Sequence, residues 1–204
     1  LKGKKTLVFL PALGFDWTYW NKSIKYFHSK GYGILGITLR GHNASRTKLK
    51  SISLDNHAKD LQGLLAHLKV HKPILIGASL GGRVTARYSQ LQKGGKCICI
   101  NTPLTPTQIR PYIDFLTSIS RSITALDYFT RNHGVDFSAS RNTNNLFMIV
   151  ESARKFNTKG LYLNYLCLKN AKPAPSKQLI TISSTSDEAI KLDTKSDYRI
   201  AGNH

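Results

Sequence analysis

Pro73-Ile74-Leu75-Ile76-Gly77-Ala78-Ser79-Leu80-Gly81-Gly82 is the stretch on which the reading of this 204-residue chain turns. Its first half is apolar and rich in β-branched residues, as a buried strand requires. Gly77 to Gly81 then forms a Gly-x-Ser-x-Gly pentapeptide, followed by a segment of helical character. A serine on a sharp strand-to-helix turn is held out of the sheet with its hydroxyl exposed. Glycines two residues to either side let that turn close without a Cβ clash. The helix start behind it offers free N–H groups and the positive end of a dipole, which favour a developing anion. A chain of this length holds such a pentapeptide by chance with a probability of roughly 0.07. The flanking strand and helix therefore carry the reading, more than the five letters do.

Outward from this stretch the pattern repeats. Thr6 to Leu10 is an apolar, β-rich run closed by Pro11, and Asp16 to Lys30 carries Trp17, Trp20, Ile24, Tyr26 and Phe27 at helical spacing before Gly31. Gly33 to Leu39 reads as the next strand. Ser53 to Val70 reads as an amphipathic helix with Ser53 as N-cap and Ala58, Leu61, Leu64, Leu65 and Leu68 on its apolar face. A helix from Gly82 to Gln92 and a strand Cys97-Ile98-Cys99-Ile100 follow the serine turn. Strands alternating with single helices imply βαβ units and a parallel sheet. The alternation stops between Thr102 and about Lys172, where three prolines and aromatic-studded helical segments read as an inserted helical cap. It resumes with a strand at Gln178 to Ser183. The expected organisation is a core of residues 1–101 and 173–204, interrupted by a cap of residues 102–172.

Composition bounds the class. The length suits one domain with a full core, and 41% hydrophobic content is that of an ordinary globular protein. No apolar run approaches the roughly 18 residues of a membrane span. The chain opens on Leu1 and stops at His204, which reads as a processed or truncated piece. Cys97, Cys99 and Cys167 give no disulfide framework. Cys97 and Cys99 alternate on one strand face as core thiols, and the sparse odd count points to a reducing, cytoplasmic compartment. A net charge of +19, from thirty Lys and Arg against eleven acids, would attract nucleic acid, anionic lipid or an acidic protein. The basic residues are dispersed, and no RNP, zinc-finger or basic-zipper pattern is present. The reading is therefore a lysine-rich surface with no specific nucleic-acid partner.

Serine chemistry needs a base within hydrogen-bond reach and a third group to orient that base. Asp187 follows the Leu179-Ile180-Thr181-Ile182 run, at a strand end expected on the same rim as Ser79. His204 follows Tyr198-Arg199-Ile200-Ala201-Gly202-Asn203. With these three in the order serine, acid, histidine, the whole chain resembles an α/β-hydrolase. Leu7 to Gly14 is similar to that family's first strand and oxyanion loop, with Pro11-Ala12 where members usually carry His-Gly. Leu39-Arg40-Gly41-His42-Asn43-Ala44-Ser45 is similar to its Arg-Gly-His-Gly-x-Ser loop, with Asn43 in place of a glycine.

The resemblance implies an α/β fold, a mostly parallel sheet with flanking helices and an inserted helical cap. It also implies a serine nucleophile at Ser79, an acid at Asp187, a base at His204 and an oxyanion hole of the Leu13 and Leu80 N–H groups. Only 16 residues separate Asp187 from His204, a short return for a strand, helix and strand. Asp193 and Asp197 are the nearer competing acids, and Asp114, Asp127 and Asp136 the more distant ones. His42 reads as a brace for its own turn. His67 and His71 stand four apart with no carboxylate to complete a zinc site.

The implied reaction is hydrolysis of a carboxylic ester or thioester, with no metal and no organic cofactor. A small-molecule substrate, an acyl group on an acidic carrier protein, and a non-catalytic binding module on the same fold are the alternatives. An acidic carrier would call for positive residues around Ser79 and the cap, with Arg83, Arg87, Arg110, Arg121 and Lys155 as candidates.

Overall fold

The computed structural model describes residues 5–42, 45, 52–92, 95–108, 158–174, 179–185 and 196–201. Six strands form one sheet: β1 (Thr6–Leu10), β2 (Gly33–Gly36), β3 (Ile74–Ala78), β4 (Lys96–Ile100), β5 (Leu179–Ser184) and β6 (Tyr198–Ile200). The order is β2-β1-β3-β4-β5-β6, and every pairing is parallel. The helices are α1 (Asn21–Ser29), α2 (Leu54–His67), α3 (Leu80–Leu91) and α4 (Thr158–Lys169), with 3₁₀ turns at Trp17–Trp20 and Pro106–Gln108. Among the described residues no helix is long and apolar enough to cross a membrane.

The central strands are buried on both faces, which is why they read as continuous apolar runs and not as alternating ones. Alternate residues of β1 feed two separate cores. Val8 and Leu10 join Ala58, Leu61 and Leu65 of α2, Leu80 and Val84 of α3, and Leu168 of α4. Leu7 and Phe9 join Ile76 on the other face, under Trp20, Ile24 and Phe27. Phe9 is the centre of that second core, with its ring 5.4 Å from Trp20 and 6.2 Å from Phe27.

The helix boundaries have local causes. Ser53 is extended and its hydroxyl accepts from the Asn56 N–H at 3.1 Å, so α2 starts where the N-cap predicts. Gly31, at φ +82°, ends α1: its N–H reaches the His28 carbonyl while the Tyr32 N–H reaches Phe27. Three expectations are corrected. The single helix read over Asp16–Lys30 is a 3₁₀ turn followed by α1, because Asp16 caps Thr18 and tightens the first turn. The strand read over Gly33–Leu39 pairs only to Gly36, since β1 gives way to Pro11 soon after Phe9. Leu64 and Leu68 are each 37% exposed, so the apolar stripe of α2 is narrower than read and consists of Ala58, Leu61 and Leu65.

Candidate active site

The strand order places β1 between β2 and β3. The chain runs outward from β1 to β2 on one side and through β3, β4, β5 and β6 on the other. Ligands of open parallel sheets bind beyond the strand ends at such a reversal. Ser79 stands there, directly after β3 and beside the loop that leaves β1.

Its backbone is unusual, with φ +47° and ψ −110°, a combination that L-residues avoid. Holding a residue there costs about 1–3 kcal/mol, and such outliers gather at functional sites. The packing enforces it. The Ser79 N–H donates to the Ile100 carbonyl at 3.0 Å and its own carbonyl accepts from Arg83 at 3.1 Å, so both ends of the turn are fixed. A Cβ on Gly77 would run into the Gly81 carbonyl, and one on Gly81 into the Leu10 carbonyl. The pentapeptide glycines are therefore required by the close approach of β1, β3 and α3. Although Ser79 occupies the N-cap position of α3, its hydroxyl makes no capping hydrogen bond. The residue is 8% exposed.

The two expected oxyanion donors sit at the same end of the sheet. Gly81 N–H is taken by the Pro11 carbonyl at 3.0 Å, which draws the loop after β1 against the first turn of α3. Among the described residues no hydrogen-bond acceptor takes the Leu80 or Leu13 N–H. Pro11 acts through its carbonyl here, so its missing N–H costs the loop nothing.

His42 secures that loop. Its Nε2 accepts from the Gly14 N–H at 3.1 Å and its Nδ1 faces the Arg40 carbonyl at 3.3 Å. The ring must be neutral with its proton on Nδ1 to do both. Burial holds its pKa down to about 4, against the help of the backbone carbonyls. The brace read from the sequence thus extends from its own turn to the loop bearing Leu13.

Asn101, which sequence reasoning passed over, ties the ends of β4 and β5. Its Oδ1 accepts from the Ser184 N–H at 2.8 Å and its Nδ2 donates to the Ser184 hydroxyl at 3.0 Å. Asp187 and His204 lie outside the described residues, three positions beyond β5 and four beyond β6 respectively. Asp193, Asp114, Asp127 and Asp136 lie outside them too. Asp197 is described. It precedes β6, away from the C-terminal strand ends where Ser79 stands, and its carboxylate accepts from the Thr181 N–H and hydroxyl at 2.7 and 2.8 Å. Those bonds lower its pKa and commit it to the sheet.

The arginines expected to face an acidic carrier are engaged elsewhere. Arg83 is 3% exposed, and its guanidinium donates to the carbonyls of Leu104 and Lys172, one near each end of the stretch read as the cap. Arg87 pairs with Asp55 at 2.5 Å. Arg110, Arg121 and Lys155 lie outside the described residues. The thiols of Cys97 and Cys167 are pushed up to about 11 by burial, and that of Cys99 further still, so none is a nucleophile at neutral pH. Among the described residues no three His, Cys, Asp or Glu side chains gather as metal ligands would. A cleft of about 790 Å³ opens between α2, α3 and α4, walled by Leu54, Arg87, Leu163, Leu166 and Cys167. Ser79 is not among its walls, so it is separate from the serine turn.

Comparison with known proteins agrees with this fold. Residues 5–160 match the family model described as the alpha/beta hydrolase fold. The 3-oxoadipate enol-lactonase 2 of Acinetobacter baylyi is 33% identical over 79 residues, which is 39% of this chain and 29% of the lactonase. The chain therefore matches less than a third of that relative's length. The esterase of Exiguobacterium antarcticum superposes with a TM-score of 0.69 at 16% identity, covering 92% of this chain and 75% of the esterase. An N-acyl homoserine lactonase, solved with N-butanoyl homoserine, superposes with a TM-score of 0.73 at 12% identity, covering 100% of this chain and 83% of the lactonase. At these identities the superpositions speak for the fold.

Proposed function

The chain belongs to the alpha/beta hydrolase family, and from that premise we propose that it hydrolyses carboxylic esters or thioesters through an acyl-enzyme on Ser79. The observation that carries the proposal is Ser79 itself: a serine held at φ +47° where the strand order reverses, with its hydroxyl withheld from capping. A strained turn whose hydroxyl does not cap the helix behind it leaves that hydroxyl available for chemistry.

In this reading His204 takes the Ser79 proton as the oxygen attacks the substrate carbonyl, and Asp187 orients the imidazole and stabilises its charged form. The carbonyl electrons move onto oxygen, and the Leu80 and Leu13 N–H groups receive that anion. As the anion collapses, the ester bond breaks and His204 returns its proton to the departing alcohol or thiol. Water then repeats the attack with His204 as base. The carboxylic acid leaves and Ser79 regains its proton.

A lactone is an internal ester and asks for the same bond cleavage. The Acinetobacter relative is a lactonase, which favours such a ring ester as substrate. An acidic carrier protein draws less support, because Arg83 and Arg87 are committed to carbonyls and to Asp55. The test is a panel of p-nitrophenyl esters of graded chain length beside simple lactones, run on the protein and on Ser79→Ala. Turnover by the protein, lost in the folded variant, is the expected result. Equal turnover in both would end the serine reading, and none in either would leave the fold to a binding role.

A further inference from the structure

We propose that Asn164 is a positioning residue for this reaction, setting the oxyanion loop through the Arg40 carbonyl and His42. The inference rests on the serine-hydrolase reading above and adds a residue to it. Asn164 lies in α4, is fully buried, and makes three hydrogen bonds. Its Nδ2 donates to the carbonyls of Arg40 at 3.0 Å and Gly160 at 2.9 Å. Both amide hydrogens are thereby used, and Oδ1 is an acceptor. It stands 2.7 Å from His57 Nε2, which must therefore carry the proton. The Arg40 carbonyl has a second lone pair, and His42 Nδ1–H takes it at 3.3 Å. That bond leaves His42 Nε2 free to accept from Gly14, the residue after Leu13. The Arg40 carbonyl, accepting from both Asn164 and His42, thus joins α4 to the ring that holds the loop.

A second observation points the same way. Gly160, one turn before Asn164, lies against the turn at Gly41. A Cβ on Gly160 would enter the Gly41 carbonyl, and one on Gly41 would come within 2.8 Å of Asn164 Nδ2. The backbone of α4 thus rests directly on the 39–42 turn. A leucine at position 164 would fill the space without desolvating an amide, and buried amides are costly unless fully bonded. What the amide adds is direction: it aims the Arg40 carbonyl, and with it the His42 ring. α4 lies within the stretch read as the cap, so whatever seats α4 is felt at the Leu13 N–H.

The test measures kcat and KM on p-nitrophenyl butyrate for the protein, Asn164→Leu and Gly160→Ala, well below their melting temperatures. Rates are expressed per site titrated with a fluorophosphonate, and exchange of the Gly14 amide is followed by NMR. Removing an oxyanion donor outright costs about a hundredfold or more in kcat, so a displaced one should cost about tenfold. KM should stay within about twofold, because the lost contact forms in the transition state. The Gly14 amide should lose protection in both variants. If Asn164→Leu does not fold, Asn164→Asp keeps the shape while turning an acceptor toward two carbonyls, and it carries the same expectation. A lowered Tm with unchanged kcat per site and unchanged Gly14 exchange would assign Asn164 to stability alone and overturn the proposal. An active protein with unaffected variants overturns this inference only. A protein inactive on every ester and unlabelled by the fluorophosphonate overturns the reading on which it rests.

Discussion

Ser79 combines a strained backbone with an unused hydroxyl, and each half predicts a different response to substitution. Glycine tolerates φ +47°, whereas alanine does not. Ser79→Gly and Ser79→Ala should both be inactive, but the glycine variant should be the more stable by about 1 kcal/mol. Thermal melting of the two side by side checks this, and equal Tm values would mean the turn is not strained. If Ser79, Asp187 and His204 act as one unit, single alanine substitutions should each cost several orders of magnitude in kcat, and combining them should cost little more. Measured losses that multiply would separate Asp187 or His204 from the serine. The serine turn was legible because its parts are contiguous: strand, pentapeptide and helix all fall between Pro73 and Leu91. Asn101 and Asn164 were not, because their partners lie 83 and 124 residues away and no local spacing announces them. The one available sign was Asn164 itself, a lone amide inside Leu161-Tyr162-Leu163-Asn164-Tyr165-Leu166.

At the scale of the elements, buried histidines tie α2, α4 and the loops together, and they make stability depend on pH. Burial lowers the pKa of His42 and of His57 from 6.5 to about 4, with the Asn164 bond opposing the shift at His57. Between those values the unfolded chain binds protons that the folded chain refuses. Stability is therefore full above about pH 6.5 and falls as the pH drops toward 4, by an amount of order a few kcal/mol. Denaturant midpoints at pH 7.5 and pH 5 measure the drop. Replacing His57 with Gln should remove about half of it, leaving the share of His42, and an unchanged slope would mean that His57 is not buried neutral. Ser53 offers a smaller check: losing its hydroxyl cap should cost α2 about 1 kcal/mol, read as a lowered Tm in Ser53→Ala. Existence and type of β1 to β5 and of α1 to α3 were legible from periodicity and caps, whereas β6, three residues long, is too short to show a period. The ends of the elements were not legible, because these are set by neighbours: Gly33–Gly36 stops where its partner strand does, and Leu64 and Leu68 are left exposed by what α2 packs against.

For the whole molecule, the parallel sheet was legible from the alternation of strands and helices, while the order β2-β1-β3-β4-β5-β6 was not. Chain order does not say on which side of β1 the next strand docks, and that choice is what brings the β1 loop beside Ser79. The +19 charge is likewise visible in composition, but its placement is a property of the fold. With Arg83 buried and Arg87 paired, steering of an acidic substrate toward Ser79 should be weak. Hydrolysis of an acyl carrier and of a small neutral ester should then respond alike as salt rises and the Debye length shrinks from about 10 Å at 0.1 M to about 3 Å at 1 M. A steep loss for the carrier alone would show a positive surface that those two arginines do not supply. The central claim, that Ser79 is an activated nucleophile, is tested most directly by mass-spectrometric mapping of a fluorophosphonate adduct on the protein and on Ser79→Ala. The account predicts one adduct per chain, on the peptide containing Ser79, and none on the folded variant. Absence of labelling, or an adduct that persists in Ser79→Ala, would contradict it.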